Sequence, residues 1–452
     1  MCRYKTLAFK NARKGEVSIS KSDTIMILGG DGYLGWSLGL AFANRTNKNV
    51  VLVDNLIKRR WEKEVDAKLL VPLEKPKTRI AEYSRIFGKH NLSFEKVELL
   101  DQKAVERVIK KHRPTVIINS AQQPSAPFSM MSAKNAALTF SNNINGHLNV
   151  LWAIAEIDKS ITYIKLGSAG CYMDTDTDYL PLGKKDLTFK HRGKDHTVLQ
   201  SFLPMQATDF YHQSKISDFL LDDLCSKLWG LKVITVQQAT IFGATIEENH
   251  APERSGLAAR FNYDAVFSTV MNRFVCQVAI GHPLTVYGNG EQKTGMISLS
   301  DTVENFLSFA QLQVKPGEHT IVHNFTHRMS IRDIALKIVE VEPTAILHFM
   351  KNPRQEPDGK LTRTVQVHPA IKNRQTDKEH RFAEDLSRMI EFTKRYKDNI
   401  DPAIIMPKVA WTVEEKQAAP ASANSARWLS GVMASIQPLP SKLGKRLRVL
   451  DA

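Results

Sequence analysis

The fold is decided by the stretch Thr24-Ile25-Met26-Ile27-Leu28-Gly29-Gly30-Asp31-Gly32-Tyr33-Leu34-Gly35. Its first five residues form a short apolar run that is typical of a buried parallel strand. Three glycines spaced three residues apart follow, and a helical pattern then continues to Phe42. Such a strand–turn–helix unit brings the main chain and a helix N-terminus close to a pyrophosphate. The expected cofactor contacts are Gly29, Gly32, Tyr33, Leu34 and Gly35.

A second apolar run, 50–53, ends in Asp54, which lies 19 residues after Gly35. A carboxylate at this point hydrogen-bonds the adenosine ribose and repels a 2′-phosphate, so the pattern favours NAD over NADP. Asn55 is expected to contact the same cofactor. The basic residues 58–60 are suited to a 2′-phosphate, although a solvated or substrate-facing turn explains them equally well.

Strand and helix patterns continue to alternate. Apolar runs predict a third strand ending at 97–101, a fourth at 115–119 and a fifth at 161–166. Asp101 has two compatible roles, reaching the adenine edge and capping the next helix. The alternation predicts an α/β fold, a Rossmann-type doubly wound parallel sheet whose ligands lie outside the carboxyl ends of its strands.

After Gly243 the pattern loosens and predicts a smaller lobe. Helices are expected at 264–280, 301–310 and 331–341, with a strand at 284–287 followed by a Gly-Asn-Gly turn. Arg273 and Arg354 are candidate clamps for a diphosphate, because guanidinium groups bind phosphate oxygens in pairs.

Four segments follow from these patterns. They are a basic N-terminal extension at 1–22, an NAD-binding Rossmann domain at 23–243, a mixed α/β C-terminal substrate-binding lobe at 244–411 and a flexible basic tail at 412–452. The extension has the composition of an organelle transit peptide, although an untargeted basic segment is an equal alternative. The expected compartment is therefore the cytoplasm, or a plastid or other organelle if 1–22 is a transit peptide.

Composition narrows the function classes. The chain is 42% hydrophobic, contains no apolar run long enough to span a membrane, and has four scattered cysteines without metal-ligand spacing. Its net charge of +15 has no nucleic-acid-binding motif beside it. An anionic metabolite is therefore favoured over nucleic acid as partner, and no metal is expected.

The catalytic candidates lie in Asp209-Phe210-Tyr211-His212-Gln213-Ser214-Lys215. Tyr211 and Lys215 are four residues apart, which places them on one face of a helix. A lysine ammonium beside a phenol favours the phenolate, so we expect a lowered tyrosine pKa and a base for a sugar hydroxyl. Ser168, just after the fifth strand, is expected to position that hydroxyl. Removal of the proton drives a hydride from the same carbon, which requires a nearby nicotinamide.

Together these motifs resemble the extended short-chain dehydrogenase/reductases that act on nucleotide sugars, and among them the UDP-sulfoquinovose synthase family. The most specific shared run is Gly281-His282-Pro283-Leu284-Thr285-Val286-Tyr287-Gly288, and the similarity covers most of 24–411. The resemblance implies a bound NAD, a UDP-sugar substrate (UDP-glucose first), sulfite as second substrate, and a homodimer. It also implies substrate contacts at Gln123 and Tyr287, with Arg354 on the diphosphate.

In that family, NAD oxidises C4 of UDP-glucose, water leaves across C5 and C6, sulfite adds to C6, and the hydride returns to C4. The resemblance implies that Tyr211 is the C4 base, Ser168 the hydroxyl positioner and His212 a helper at C6 or sulfite. Lys215 is expected to be both the electrostatic partner of Tyr211 and a cofactor contact.

Two departures from the family leave alternatives open. Cys171 replaces the family's glutamate, so the elimination needs an activated thiolate or one of the aspartates Asp174, Asp176 and Asp178. Pro124 replaces an arginine suited to an anionic second substrate. A UDP-sugar 4-epimerase, or a dehydratase without sulfite addition, is therefore the alternative, and a non-catalytic NAD-binding scaffold is the alternative of another class.

Overall fold

The structure is a computed structural model that describes residues 23–172, 179–352, 364–371, 376–405 and 449–450. The expected extension at 1–22 lies outside these residues. So does the expected tail, apart from a two-residue strand at 449–450.

The first strand is formed by the apolar run that opens the sequence motif, and all five of its side chains are buried. It pairs in parallel on both sides, with Ile25 opposite Val50 and Val116. The following helix is also buried on almost every side, because it packs between the sheet and the C-terminal part of the chain. The glycine motif is thus held between two rigid elements.

The described strands are β1 (Thr24–Leu28), β2 (Asn49–Asp54), β3 (Leu92–Lys96), β4 (Val116–Asn119), β5 (Thr162–Leu166), β6 (Tyr179–Leu180), β7 (Lys185–His191), β8 (Lys194–Ser201), β9 (Lys232–Gln238), β10 (Thr240–Phe242), β11 (Leu284–Tyr287), β12 (Lys293–Ser298), β13 (His319–Asn324), β14 (His327–Ser330), β15 (Leu347–Met350), β16 (Thr364–Val365) and β17 (Val449–Leu450).

The described α-helices are α1 (Tyr33–Arg45), α2 (Ile57–Glu64), α3 (Pro76–Phe87), α4 (Gln102–His112), α5 (Ala126–Met130), α6 (Ala133–Phe140), α7 (Gly146–Ile157), α8 (Phe210–Trp229), α9 (Val270–Ala279), α10 (Leu299–Phe309), α11 (Ile331–Val341), α12 (Lys378–Arg395) and α13 (Pro402–Ile405). A π-helical turn, Ser141–Asn145, joins α6 to α7.

The large sheet has seven parallel strands in the order β13, β9, β5, β4, β1, β2, β3. This confirms the predicted α/β fold. The carboxyl ends of β1, β2, β4 and β5 lie at one edge, where ligands bind in such sheets.

The C-terminal part of the chain forms two further small sheets, β10-β12-β14 and β11-β15-β17. A second hydrophobic core lies there, with α9, α11 and α12 around it. However, β13 pairs in parallel with β9 in the large sheet. The chain therefore returns to the Rossmann sheet after 243, where the sequence pattern predicts a change of lobe.

Two element boundaries differ from the prediction by several residues. The third strand is Leu92–Lys96, and the segment expected to end it follows as a turn. The helix expected at 264–280 begins only at Val270. Asp264 prevents an earlier start, because its carboxylate accepts the backbone N–H groups of Val266 and Phe267, both at 2.8 Å. None of the helices in the described ranges is both long and apolar enough to span a bilayer.

Candidate active site

A cleft opens at the carboxyl ends of the central strands. It is lined by Gly29, Asp31, Gly32, Val53, Asp54, Asn55, Ile57, Lys58, Trp61, Val97, Glu98, Leu99, Ser120, Ala121, Gln122, Asn142 and Arg260. The cleft therefore contains the two sequence motifs predicted to hold a dinucleotide.

The glycine motif leaves no room for side chains. A Cβ at Gly29, whose φ is +84°, would lie 2.8 Å from the backbone nitrogen of Ala121, and one at Gly35 would lie 2.1 Å from the carbonyl oxygen of Gly29. The side chains of Tyr33 and Leu34 serve packing, since the Tyr33 hydroxyl donates to the carbonyl oxygen of Gly243 at 2.6 Å and Leu34 is in the core. The bare backbone fits the close approach of a pyrophosphate.

Asp54 ends β2 and faces the cleft. Its carboxylate accepts backbone N–H groups from Asp31 at 3.0 Å and Leu56 at 2.6 Å. Burial, followed by the charge of Asp31, raises the pKa of Asp54. Asn55 donates to Glu98, which lines the same cleft, at 2.8 Å. This edge fits the ribose end of NAD.

Asp101 does not line the cleft; it caps α4 by accepting the N–H of Ala104 at 3.0 Å. The capping half of the prediction for Asp101 is confirmed. The residues of this turn that line the cleft are Val97, Glu98 and Leu99.

The basic residues after β2 separate into different environments. Arg59 forms two 2.8 Å hydrogen bonds to the carboxylate of Asp31, and the exposed Arg60 lies 3.5 Å from Glu64. Lys58 lines the cleft, where burial lowers its pKa to about 8. Arg59 is therefore already engaged with a carboxylate, which supports NAD over NADP at this edge.

Asp31 is the centre of a buried ion cluster. Besides Arg59, it accepts from Arg260 at 2.5 Å and lies 3.4 Å from Arg79. Arg260 also reaches Glu62 at 2.5 Å. Although burial disfavours the Asp31 carboxylate, the hydrogen bond from Arg59 and the three guanidinium charges lower its pKa. The cluster ties the glycine turn to α2, α3 and the C-terminal part of the chain.

Tyr211 and Lys215 lie on one face of α8, as predicted. The Lys215 Nζ is 5.7 Å from the centre of the Tyr211 ring and donates to the carbonyl oxygen of Leu166 at 2.6 Å. The backbone N–H of Tyr211 donates to Ser129 Oγ at 3.2 Å. The pair is thereby fixed at the end of β5, next to Ser168.

The expected lowering of the Tyr211 pKa is wrong for this structure. Burial, followed by the nearby Cys171, Asp209 and Asp218, raises the pKa of Tyr211 above its ordinary value. Burial, together with the charge of Lys165, lowers the pKa of Lys215 to about 7. Both shifts favour neutral side chains, because a low-dielectric site disfavours either charge.

The loop after β5 holds Ser168 and Cys171. Ser168 is 9% exposed and its hydroxyl accepts the N–H of Gly170 at 3.1 Å. Cys171 is fully buried, and burial raises the pKa of its thiol to about 12. The structure therefore argues against Cys171 as a thiolate base. Asp174, Asp176 and Asp178 lie outside the described residues.

Of the four predicted substrate contacts, the structure brings two next to each other. Arg273 donates to the Tyr287 hydroxyl at 2.5 Å and to the carbonyl oxygen of Thr285 at 3.0 Å, so it forms a pair with Tyr287 in the C-terminal part. Gln123 is fully buried, and both ends of its amide hydrogen-bond the backbone of Ser125. Gln123 shapes its own turn, and Arg354 lies outside the described residues.

Two pairs were missed by the sequence analysis. Asp209 contacts His212 at 2.6 Å, and Lys165 lies 3.1 Å from Asp218 with both side chains buried. The signals were present, since Asp209 directly precedes the helix that bears the Tyr–Lys pair, and Lys165 interrupts an apolar strand. In the described part of the chain, no group of three or more His, Cys, Asp or Glu side chains is arranged to hold a metal ion.

A Rossmann sheet, a glycine turn, an acid after β2 and a Tyr–Lys pair on α8 define an NAD-dependent enzyme of the short-chain dehydrogenase/reductase type. The model of the NAD dependent epimerase/dehydratase family matches residues 25–322. A UDP-sulfoquinovose synthase, chloroplastic, from Spinacia oleracea is 32% identical over 397 residues, which cover 86% of this chain and 79% of that protein. A UDP-sulfoquinovose synthase from Sulfolobus acidocaldarius is 30% identical over 402 residues, 86% of this chain and 97% of that protein.

The chain belongs to the NAD dependent epimerase/dehydratase family and, within it, to the UDP-sulfoquinovose synthase family. Among solved structures, a UDP-glucuronic acid 4-epimerase from Bacillus cereus in complex with UDP-glucuronic acid and NAD aligns with a TM-score of 0.58 at 17% identity, covering 82% of this chain and 99% of that one. At this level of identity, the similarity shows a shared fold only.

Proposed function

We propose that the chain oxidises C4 of UDP-glucose and converts the product, with sulfite, into UDP-sulfoquinovose. The observation that carries the first half is the placement of Tyr211 and Lys215 on α8 beside Ser168, at the sheet edge that forms the dinucleotide cleft. When bound, NAD would supply the hydride acceptor for C4, and Gly29, Gly32 and Asp54 would hold it.

In this proposal, three side chains have separate roles in the first step, the oxidation of C4. Ser168 Oγ orients the 4-hydroxyl group, and Tyr211 Oη takes its proton. Lys215, held by the carbonyl oxygen of Leu166, stabilises the phenolate while the proton is being transferred. The Arg273–Tyr287 pair lies in the C-terminal part of the chain, which we propose to bind the substrate. The Arg273 guanidinium is suited to bind the diphosphate of the UDP-sugar.

The second half rests on the relatives, because the synthases of spinach and Sulfolobus align over 86% of this chain. After C4 oxidation the C5 proton is acidic, water leaves across C5 and C6, and sulfite sulfur adds to C6. A 4-epimerase or a dehydratase without sulfite addition is the second candidate. The buried thiol at Cys171, where the family has glutamate, favours the epimerase, because an epimerase needs no base at C5.

The test is a product analysis. Purified protein is incubated with UDP-glucose and NAD in deuterated water, with and without sulfite, and the sugar nucleotides are measured by mass spectrometry. A sulfonated sugar nucleotide formed only with sulfite supports the synthase. Loss of water without a sulfonate supports the dehydratase, and an unchanged mass with the C4 epimer present supports the epimerase. Absence of any reaction with UDP-glucose and other UDP-sugars contradicts the proposal.

We also propose a homodimer that uses α7 and α8. Leu220, Leu224 and Leu228 form one stripe on α8 and are 50%, 56% and 63% exposed. Trp152 of α7 is 44% exposed, and its ring lies 5.0 Å from that of Trp229, edge to face. An apolar stripe of this length on an enzyme surface is characteristic of an interface.

The compartment belongs to the same proposal. The cytoplasm is the first expectation, and import into an organelle is the alternative if residues 1–22 act as a transit peptide. The word chloroplastic in the name of the spinach relative supports that alternative. A reporter protein carrying residues 1–22, followed by microscopy in plant and algal cells, separates the two.

A further inference from the structure

Asp209 does more than cap α8. One carboxylate oxygen accepts the backbone N–H of His212 at 2.8 Å, and the other contacts His212 Nδ1 at 2.6 Å. The Asp209 side chain is only 1% exposed, while that of His212 is 15% exposed. Burial opposes the carboxylate charge, but the side-chain and backbone hydrogen bonds from His212 lower the pKa of Asp209. A carboxylate at Nδ1 holds the proton on that nitrogen and leaves the lone pair on Nε2.

The free nitrogen of His212 points into the loop after β5. A Cβ built on Gly170 would lie 2.2 Å from His212 Nε2 and 3.1 Å from Ser168 Oγ. The imidazole edge therefore packs against the Cα of Gly170 beside the Ser168 hydroxyl, in a position that a side chain at residue 170 would block. The Tyr211 ring is next to it, with its centre 4.8 Å from that of His212. An imidazole nitrogen thus lies beside the groups assigned to C4.

The other described acid/base candidates around this loop are engaged or neutral. Cys171 is fully buried with a raised thiol pKa. Asp218 contacts Lys165 and accepts from Gln122, and Asp222 contacts His147 at 3.0 Å and accepts from Thr235 at 2.6 Å. Among the residues that the structure describes here, His212 is the group with a free basic nitrogen beside Ser168.

We propose that His212 is the base that removes the C5 proton of the 4-keto sugar, and that Asp209 is its positioning residue. This inference rests on the proposed function and names the group that works where the family's glutamate is absent. His212 then removes the proton at C5, and Asp209 acts on catalysis indirectly, by orienting the imidazole of His212.

The step balances within the substrate. Nε2 takes the C5 proton, the C5–H electron pair moves toward C4, and the C4 ketone becomes an enolate. The imidazolium then gives that proton to the departing C6 hydroxyl, the C6–O bond breaks, and water leaves a 4-keto-5,6-alkene. Asp209 stabilises the imidazolium between the two transfers.

The experiment separates C5 chemistry from C4 chemistry. The full chain is mixed with UDP-glucose and NAD in deuterated water without sulfite. Reduced nicotinamide absorbance reports C4 oxidation, and mass spectrometry reports C5 deuterium and loss of water. The variants are His212→Gln and Asp209→Asn. Asparagine retains helix capping but can donate to Nδ1, which favours the wrong tautomer.

The two variants are expected to lose the C5 chemistry and to keep C4 oxidation. C4 oxidation continues in both variants, while C5 exchange and loss of water together fall about 100-fold or more in His212→Gln and about 10-fold or more in Asp209→Asn. Glu95→Gln is the matched control, because Glu95 contacts His112 Nε2 at 2.8 Å away from the cleft. Glu95→Gln leaves both readouts unchanged. Thermal unfolding of each variant accompanies the assay.

Three outcomes overturn the inference. Normal C5 exchange in His212→Gln excludes His212 as the base. An equal loss of C4 oxidation and C5 exchange in Asp209→Asn assigns Asp209 a structural role at the start of α8. C4 oxidation in the unmodified chain with neither C5 exchange nor loss of water supports the epimerase and removes the step. Failure of the unmodified chain to reduce NAD with any UDP-sugar is different, because it contradicts the proposed function itself.

Discussion

Lys215 donates from Nζ to the carbonyl oxygen of Leu166 at 2.6 Å, which ties α8 to the carboxyl end of β5. This contact fixes the catalytic helix relative to the loop that carries Ser168. Lys165, the neighbour of Leu166, pairs with Asp218 of the same helix at 3.1 Å. The position of the Tyr–Lys pair therefore depends on a hydrogen bond and a buried ion pair, which join the same two elements.

Tyr211→Phe is expected to lower C4 oxidation by about 100-fold or more, because the phenol is the proposed base and phenylalanine cannot accept the proton. NAD binding should be unchanged, since Tyr211 does not line the dinucleotide cleft. Stopped-flow absorbance of reduced nicotinamide measures the first effect, and calorimetric titration with NAD the second. Substantial C4 oxidation by this variant would exclude Tyr211 as the base.

Asp54→Ala is expected to weaken NAD binding by about 10-fold to 100-fold, the range for a lost hydrogen bond to a charged group. It removes the proposed ribose acceptor, a hydrogen bond from the glycine turn at Asp31 and a hydrogen bond from the turn after β2 at Leu56. Calorimetric titration with NAD gives the change. Asp195→Ala, in the exposed strand β8, is the control. Equal NAD affinity in Asp54→Ala and the unmodified chain would contradict the ribose role.

Cys171→Ala is expected to retain C5 exchange, because a buried thiol with a pKa near 12 holds its proton at neutral pH. Loss of packing should lower the stability modestly, by about 1 kcal/mol. Deuterium incorporation at C5 and urea unfolding measure the two effects. Loss of exchange in a folded Cys171→Ala protein would restore the thiol as the base.

Local patterns predicted the strands around the glycine motif, the turn at 288–290 and helix α11 with its bounds, because strand and helix periods are properties of neighbouring residues. The long-range contacts that shape the site could not be predicted from local patterns. Arg260 reaches Asp31 across 229 positions, and β13 rejoins the sheet next to β9. The sign of the Tyr211 pKa shift was also wrong, because spacing indicates which groups are neighbours but not how deeply they are buried.

Asp31→Asn is expected to destabilise the protein by about 3–5 kcal/mol at neutral pH, because it removes the buried carboxylate that contacts three buried or half-buried arginines. The pKa of Asp31 is lowered in the folded state, so its contribution is complete above the unfolded pKa of about 3.9 and is lost as the pH falls through the folded pKa.

The difference in unfolding free energy between the unmodified chain and Asp31→Asn should therefore be constant at neutral pH and shrink only below about pH 4. Urea unfolding across that range measures it. A difference that already shrinks near neutral pH would mean that the arginine contacts do not hold the carboxylate charged.

Leu224→Asp is expected to convert a homodimer into monomers. Leu224 lies at the middle of the exposed leucine stripe on α8, and in a two-fold dimer the stripe faces its own copy. Each buried leucine contributes about 1.5–3 kcal/mol, and a carboxylate on both sides of the axis adds repulsion and desolvation. Light scattering after gel filtration measures the mass in solution.

Leu199→Asp is the matched control, because Leu199 is 70% exposed on β8 and is not part of the stripe on α8. It should leave the dimer intact. Because α8 also carries Tyr211 and Lys215, a dimer formed through α8 would stabilise the position of the catalytic helix. The Leu224→Asp monomer should therefore also lose part of its C4 oxidation rate. A monomeric unmodified chain, or an equal effect of both substitutions, would contradict this interface.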